Sequence, residues 1–363
     1  MSNTSSNHRS KKLILVIGAT GAQGQAVINS LLAAGPDGSP SPYTIRALTR
    51  NTSSQRAKDL SARGVEVVEG AFNDFVAVEA AFRGVYGAWV NTDGFTVGEQ
   101  SEIYAGIRIF EIARQAESVR HFVWSNLDYA FKKGGYDQTY RCEHYDGKGR
   151  VGEWIQAQPS NRSVNGMAWS IVTSGPYMDM LYNMMFGPLT KREDGTFVFA
   201  TPIGQGHVPM IALSDLGYWA RYTFDNRTMT SGQELLVASD MVGWDYLVST
   251  FQTVTGKRAV VVHQSLDEWF ANFDGVDKPV ANEREDGDGS TTWKENFSGW
   301  WSLWRDDVIK RDMDWIRSVH PRTLSLESWM RQNDYQGLSK RNILKNTEDG
   351  KTISPRRSRL SKL

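Results

Sequence analysis

Apolar and polar positions alternate regularly along the first half of the chain. Six short runs rich in Leu, Ile, Val and aromatic residues have the character of buried parallel strands, and amphipathic stretches of helical period lie between them. In residues 101–117, for example, Ile103, Ile107 and Phe110 mark an apolar helical face. This repetition predicts an α/β fold with a Rossmann-type, doubly wound parallel sheet. The six predicted strands are residues 13–20, 43–50, 65–72, 85–92, 119–125 and 168–175.

Three glycines follow the first predicted strand and lead into a helix. They are Gly18, Gly21 and Gly24 of the stretch GATGAQGQAV. The first permits a tight turn, the second lets the backbone approach a pyrophosphate, and the third lets the helix pack close to the strand. Because the amino terminus of a helix also attracts phosphate, this context favours a dinucleotide-binding loop.

The end of the second predicted strand indicates which dinucleotide is bound. Residues 48–54 read LTRNTSS and contain Arg50 but no Asp or Glu. An acidic residue here binds the ribose 2′-hydroxyl of NAD, whereas arginine accommodates the 2′-phosphate of NADP. We therefore predict NADP(H), with Arg50 at the phosphate. Arg46 is an alternative partner, and a solvated Arg50 without function is another.

The composition excludes several kinds of protein. The 363 residues include 41 Lys plus Arg and 41 Asp plus Glu, so the net charge is zero, and direct nucleic-acid binding by the whole chain is not expected. The single cysteine, Cys142, excludes an internal disulfide, and the six histidines do not have zinc-ligand spacing, so no metal site is predicted. Neither a signal peptide nor a membrane helix is evident, and we predict a soluble intracellular protein.

The regular pattern divides the chain into four parts. Residues 11–175 are predicted to form the NAD(P)-binding Rossmann domain. The less regular residues 176–337 are predicted to form a smaller mixed α/β domain for a substrate or a partner, whose strands can intermix with the first. The polar residues 1–10 and the basic residues 338–363 lack periodicity, and we predict that both are disordered.

Several of these stretches resemble the NmrA-like family, an atypical branch of the short-chain dehydrogenase/reductases. The resemblance runs from about residue 11 to 335 and rests on the segments VIGATGAQG, LTRN, GVEVVEGAFND, HYDGKGRVGEWI, GHVPMIALSDLG and SLESWM. It implies a Rossmann-type NADP-binding domain with a smaller second domain. It also implies one of two functions. Members are either reductases, including oxidoreductases of fungal secondary metabolism, or dinucleotide-sensing regulators, such as a fungal repressor that binds a GATA factor.

The resemblance also implies a set of cofactor-binding residues, which comprises a phosphate loop, a 2′-phosphate loop and a nicotinamide end. These are Gly18, Ala19, Thr20, Gly21, Ala22, Gln23 and Gly24; Arg50, Asn51, Thr52, Ser53 and Ser54; and Thr92, Lys148, Tyr177, Met178, Asp179 and Met180.

Catalytic machinery is less evident. Short-chain dehydrogenases pair a tyrosine acid with a lysine four residues later, whose charge lowers the pKa of the phenol. The literal match, Tyr129 with Lys133, follows the fifth strand too closely and lies in a polar segment that reads as loop, so we reject it. Lys148 is the stronger lysine, and His144 stands four residues before it, where both share a face if one helix carries them.

The candidate catalytic residues are therefore Lys148, His144 and Ser125, the last at the carboxyl end of the fifth strand. Gly147 indicates that the helix begins only at Lys148, which would separate Lys148 from His144. In the alternative reading, His144 is structural and Lys148 only binds the cofactor, while Ser125 caps its strand. The remaining proton-donor candidates are Tyr129, Tyr145 and Tyr177.

A tryptophan-rich stretch lies in the second half of the chain. It forms either an aromatic substrate wall or the packing between the two domains, and the second reading is slightly favoured. Its members are Trp293, Trp300, Trp301, Trp304 and Trp315.

The last three residues, Ser361-Lys362-Leu363, match the address that the peroxisomal import receptor reads. We therefore predict a peroxisomal protein, with cytoplasm or nucleus as alternatives. This prediction favours an NADP(H)-dependent oxidoreductase that acts on a small-molecule substrate. We expect no direct binding to nucleic acid or membranes, and a homodimer is possible. The absence of tyrosine at position 144 favours the alternative, a catalytically silent NAD(P)-sensing regulator that binds a transcription factor.

Overall fold

The computed structural model describes residues 11–340 and 353–363, and its strands and helices alternate through the first half of the chain. The strands are β1 (Lys12–Ile17), β2 (Tyr43–Thr49), β3 (Glu66–Glu69), β4 (Gly87–Val90), β5 (His121–Leu127), β6 (Ala168–Ser174), β7 (Thr190–Lys191), β8 (Phe197–Thr201), β9 (Val208–Met210), β10 (Gln233–Leu236), β11 (Asp240–Val242), β12 (Ala259–His263), β13 (Phe273–Asp274) and β14 (Ser354–Pro355). The helices are α1 (Ala22–Leu32), α2 (Gln55–Ala62), α3 (Phe75–Phe82), α4 (Gly94–Val97), α5 (Glu99–Gln115), α6 (Ala130–Lys133), α7 (Glu143–Gln156), α8 (Leu213–Asp225), α9 (Arg227–Thr230), α10 (Trp244–Thr255), α11 (Leu266–Phe270), α12 (Trp293–Arg305), α13 (Met313–Val319), α14 (Leu326–Gln332) and α15 (Arg357–Leu360).

Seven strands form a wholly parallel sheet in the order β10-β6-β5-β4-β1-β2-β3. The first six strands along the chain are the six predicted ones, so the predicted Rossmann-type fold is confirmed. The strand order reverses at β1, between β2 and β4, which is the switch point where open parallel sheets bind ligands. Helices cover both faces of the sheet: α1 and α8 pack on one, and α3, α5 and α7 on the other.

The seventh strand comes from the second half of the chain and was not predicted. β10 pairs in parallel with β6, and α8 packs beside α1. The chain leaves the sheet after β6 and returns to it through α8, α9 and β10, so a strand from the residues after 175 belongs to the first sheet. β9 leads the chain back to the sheet and β11 leads it away again, and these two strands pair in antiparallel fashion.

Residues 176–210 and most of the residues after 239 form a second body, which has its own aromatic core. Phe186 lies stacked on Trp300 with ring centroids 5.6 Å apart, and Trp301 contacts both Trp244 and Trp269 edge to face. Small sheets, β12-β8-β7 and β9-β11, frame this core. Within the described residues, no helix is long and apolar enough to span a bilayer.

The carboxy-terminal segment packs on this second body. β14 pairs with β13, the Arg356 side chain binds Asp274 at 2.7 Å, and Leu360 is buried in the core. The main-chain oxygen of Leu363 accepts a hydrogen bond from Arg192 at 2.9 Å. The predicted disorder is therefore wrong for residues 353–363. The same prediction for residues 1–10 and 341–352 lies outside the described residues.

Candidate functional site

A cavity of about 430 Å³, the central cavity, opens at the carboxyl ends of the parallel strands and extends into the second body. One end is lined by the glycine loop and Arg50. The middle holds Thr92 and Lys148, and the other end is lined by aromatic and methionine side chains. The aromatic end comprises Phe95, His144, Tyr145, Tyr177, Met180, Met184, Met185, Trp293, Phe297 and Trp300, with Ile353 of the carboxy-terminal segment beside them.

The geometry of the glycine loop requires glycine. Gly18 has φ +79°, and a Cβ there would lie 2.8 Å from the carbonyl oxygen of Asn91. A Cβ on Gly24 would lie 2.3 Å from the carbonyl oxygen of Gly18, because α1 passes so close to the end of β1. The amino terminus of α1 has no side-chain cap at Gly21, which leaves its first N–H groups available to an anion.

These features fit a dinucleotide diphosphate. Thr20, Ala22 and Gln23 line the cavity together with Gly18 and Gly21. Two predicted loop residues, Ala19 and Gly24, do not line it and instead allow the strand and helix to approach each other.

The far end of the loop region carries Arg50, which is exposed at the end of β2 and lines the cavity. Asn51 and Ser54 shape the turn behind it: Asn51 Oδ1 accepts a hydrogen bond from the Ser53 N–H at 2.9 Å, and Ser54 caps α2. The structure does not place Asn51, Thr52, Ser53 or Ser54 on the cavity wall. Arg50 thus brings a positive charge to this end of the cavity wall.

Two other arginines near this end have different places. Arg46, the alternative partner, is bound to Glu66 at 3.0 Å and to the carbonyl oxygens of Ala81 and Arg83, so it is not available at the cavity. Arg56 of α2 donates to the carbonyl oxygen of Thr20 at 3.2 Å and thereby ties α2 to the glycine loop.

Lys148 lies at the middle of the cavity and is nearly buried. Its Nζ donates to the Thr92 carbonyl oxygen at 2.7 Å, to Thr92 Oγ1 at 2.9 Å and to Glu102 Oε1 at 2.7 Å. Thr92 Oγ1 in turn donates to Glu102 Oε1 at 2.7 Å. All three ammonium hydrogens are therefore engaged, and the charge of Lys148 is balanced by a carboxylate that the sequence did not indicate.

Glu102 explains two glycines. Its side chain is fully buried, and a Cβ on Gly94 or Gly147 would lie 2.3 or 2.9 Å from Glu102 Oε2. Gly147 of the Gly-Lys-Gly motif thus makes room for the carboxylate that its neighbour Lys148 binds. The glycine does not start the helix, because α7 already begins at Glu143. The prediction of a helix start at Lys148 is wrong.

His144 and Lys148 consequently lie on one helix, and both line the cavity. Burial lowers the pKa of His144 to about 3, so its imidazole is neutral. The ring lies against Phe95 and Phe297, with centroids at 4.6 and 5.3 Å. The polar contacts of the ring come from Asn296 of α12 and from Cys142.

Ser125 is not brought to the cavity. Its hydroxyl is buried and donates to Gln23 Oε1 at 2.9 Å, and Gln23 Nε2 donates to the Tyr177 hydroxyl at 3.3 Å. Ser125 therefore holds the side chain of Gln23 in the glycine loop. The structure does not place its hydroxyl where it could contact a substrate carbonyl in the cavity.

The segment after β6 contributes alternate residues to the wall. Tyr177 and Met180 line the cavity, whereas Met178 is in the core and Asp179 does not face the cavity. Burial raises the pKa of Asp179 to about 6. Of the four predicted residues in this segment, two therefore line the cavity.

The other proton-donor candidates differ in position. Tyr145 lines the cavity, but burial raises the pKa of its phenol well above the ordinary range. Tyr129 precedes the short helix α6, which carries Lys133 in a segment predicted as loop, and neither residue lines the cavity. The rejected Tyr129–Lys133 pair is therefore away from the cavity wall.

The tryptophans of this stretch lie in different places. Trp293 and Trp300 line the cavity, whereas Trp301 and Trp304 are buried in the second core. Trp315 stacks on Trp219 of α8, with centroids 5.4 Å apart, and packs the second body onto the sheet.

Two buried histidines predict an acid-sensitive fold. Burial lowers the pKa of His121 and His144 to about 3, below the ordinary value near 6.5. Between these pH values the unfolded chain therefore binds more protons than the folded protein, so the contribution of the neutral histidines to stability is fully present above about pH 6.5. Below that, the free energy of unfolding falls by up to about 1.4 kcal/mol per pH unit for each histidine.

The measurement is urea unfolding between pH 7.5 and 5. His121→Gln keeps a donor for Ser170 Oγ, which lies 2.8 Å from His121 Nε2, and should reduce the slope by one proton. A slope equal to that of the wild type would contradict the assignment.

Comparison with known proteins adds the family context. The model of the NmrA-like family matches residues 10–287. An NmrA-like family domain-containing oxidoreductase from Aspergillus japonicus is 29% identical over 258 residues, which cover 68% of this chain and 74% of that protein. A protein of the same description from Aspergillus campestris is 30% identical over 279 residues, which cover 72% and 78%.

Solved structures share the fold. The negative transcriptional regulator NmrA in complex with NAD superposes with a TM-score of 0.68 at 18% identity, over 89% of this chain and 95% of that one. An NADPH-dependent quinone oxidoreductase from Escherichia coli in complex with NADPH gives a TM-score of 0.65 at 18% identity, over 88% and 99%.

Proposed function

Since this chain belongs to the NmrA-like family, we propose that it is an NADP(H)-dependent oxidoreductase of secondary metabolism that acts on a small organic substrate. The observation that carries the proposal is the continuity of the central cavity. It joins a loop shaped for a diphosphate and an exposed arginine to an apolar end lined by aromatic and methionine side chains. Relatives that match most of the chain are named oxidoreductases.

In this proposal the bound nicotinamide supplies the hydride. The glycine loop and the amino terminus of α1 hold the diphosphate, and Arg50 holds the 2′-phosphate. Lys148 and Thr92 form a fixed polar patch at the middle of the cavity, and the aromatic end excludes water from the reacting centre.

Cofactor preference tests the assignment of Arg50. We expect the purified protein to bind NADPH more tightly than NADH in calorimetric titration. Arg50→Ser should weaken NADPH binding about tenfold or more and change NADH binding less than about twofold, because only NADPH loses a charge-assisted hydrogen bond.

Arg63→Ser is the matched control, because that guanidinium binds Asn29 at 2.7 Å and does not line the cavity. It should leave both affinities unchanged. Tighter binding of NADH by the wild-type protein would overturn the role of Arg50.

One observation favours the alternative, a silent regulator that senses the dinucleotide. The ammonium hydrogens of Lys148 are all engaged, and a neutral histidine stands where active relatives of the dehydrogenase type have their tyrosine. Under this alternative the protein binds NADPH but oxidises none of it with any carbonyl probe. It would also capture a GATA-type zinc-finger protein in a pull-down.

A further inference from the structure

The hydrogen bonds of His144 determine which ring nitrogen carries its proton. Asn296, which is fully buried on α12, directs its Nδ2 at His144 Nδ1 over 2.9 Å, and its Oδ1 is farther away at 3.3 Å. The Cys142 thiol also lies 3.3 Å from Nδ1. Both amide atoms lie within hydrogen-bond distance of Nδ1, and we assign the shorter Nδ2 contact as the hydrogen bond. Because an amide NH₂ can only donate, this assignment makes Nδ1 the acceptor and places the proton of the neutral ring on Nε2.

The Nε2–H group is left without a protein acceptor. It makes no hydrogen bond within the described residues, and it is not sealed from solvent as the fully shielded unpaired polar atoms are. The ring itself lines the central cavity. Since buried polar groups are normally paired, an uncommitted donor on a cavity wall indicates a ligand acceptor.

The surroundings of this donor are flat and apolar. Phe95 and Phe297 have nearly parallel rings, with planes 8° and centroids 6.1 Å apart, and the His144 ring contacts both of them. Trp293 contacts Phe297 at a centroid distance of 4.1 Å. Trp300 lies 6.4 Å from the His144 ring.

The cations of the wall are committed or distant: Lys148 is paired with Glu102, and Arg50 is at the opposite end. Asp93 accepts a hydrogen bond from Thr96 and is an acidic residue of the wall. Among the described residues, this end of the cavity therefore suits a neutral molecule better than an anion.

We propose that the aromatic end binds a planar aromatic or conjugated molecule through a neutral carbonyl or imine acceptor, which accepts a hydrogen bond from His144 Nε2–H. Asn296 is a positioning residue that holds His144 in the donating tautomer. His144 orients and polarises the acceptor and keeps its proton, because the neutral ring is a very weak acid. This inference rests on the proposed function for the location of the substrate, but the binding it describes does not require NADPH or turnover.

The test compares two ligands of nearly the same shape, 2-acetylnaphthalene and 2-isopropenylnaphthalene, which differ in the carbonyl acceptor. Binding is measured by quenching of tryptophan fluorescence, with and without NADPH. We expect the ketone to bind the wild-type protein about fivefold to tenfold more tightly than the alkene, the effect of one hydrogen bond. His144→Leu should remove this difference while the naphthyl ring still binds, and His144→Gln, which retains an N–H donor, should restore part of it.

Asn296→Asp separates positioning from packing. A carboxylate accepts from Nδ1–H, so the Nε2 atom loses its proton and the preference for the ketone should disappear. The tautomer is read directly from the ¹⁵N chemical shifts of His144, which should show protonated Nε2 in the wild type and protonated Nδ1 in the variant. His263→Leu, a ring away from the cavity wall, should retain the full preference.

Equal affinity of the wild type for both ligands, or an unchanged preference in His144→Leu, would overturn the proposal. If the protein shows the ketone preference but does not bind NADPH, the proposed oxidoreductase function is contradicted and the aromatic site is supported. If it binds NADPH but shows no ketone preference, the aromatic site is contradicted and the proposed function is not.

Discussion

Replacing Arg311 by methionine is expected to lower the free energy of unfolding by about 3–5 kcal/mol. Arg311 and Asp128 form a nearly inaccessible ion pair at 2.6 Å, and the same guanidinium also donates to the carbonyl oxygens of Ser174 and Val237. The pair joins the ends of β5 and β6 to the chain before α13. Without the cation, Asp128 remains as a buried charge with no counter-ion, and this dominates the cost.

Urea denaturation measures the effect, and two variants make it specific. Replacing both partners, Arg311→Met with Asp128→Leu, should recover at least half of the loss, because no charge is left uncompensated. Arg331→Met removes an exposed pair with Glu327 and should cost no more than about 0.5 kcal/mol. If Arg311→Met and Arg331→Met cost the same, the buried pair does not stabilise the fold as described.

The second large effect is expected at Lys148. Lys148→Met leaves the fully buried Glu102 unpaired and should destabilise the protein by about 3–5 kcal/mol, so a loss of activity in this variant alone has two explanations. Adding Glu102→Gln removes the stranded charge and retains a hydrogen bond for Thr92. The double variant should regain most of the stability.

Turnover in the double variant then isolates the chemical role. Oxidation of NADPH in the presence of 1,4-naphthoquinone should be slower than in the wild type by about 100-fold or more if Lys148 acts on the cofactor and substrate. Undiminished turnover would remove Lys148 from the site. Lys132→Met, which breaks an exposed pair with Glu153, is the control for lysine removal and should change neither stability nor turnover.

The parallel sheet and the glycine loop were predictable because both depend on local pattern. Apolar runs define the first six strands, and Gly18, Gly21 and Gly24 stand at fixed offsets from β1. The seventh strand, QELL, was missed because it is a four-residue edge strand that begins with two polar residues and lies in the less regular second half of the chain.

The residues missed at the site depend on contacts distant in sequence. Glu102 occupies a polar position of α5, and only its pairing with Lys148, 46 residues later, shows that it is buried. Asn296 meets His144 across 152 residues. Such pairs carry no local signal, although the small residues Gly94 and Gly147 mark the space that Glu102 needs.

The carboxy-terminal segment was mispredicted for a related reason. The basic composition and the few isolated apolar residues of this segment predicted disorder. They do not show that Ile353 and Leu360 find apolar partners on the second body.

The antiparallel pair of β9 and β11 has a consequence for recombination between relatives. Met210 faces Asp240 and Val208 faces Val242, so the chain crosses between the two bodies on neighbouring rungs of one ladder. A chimera that replaces only residues 176–210, or only those after 239, would pair β9 or β11 with a strand from a different relative. We therefore expect that both segments have to be exchanged together, with the junctions at paired positions of β9 and β11, while residues 211–239 are kept from the parent protein.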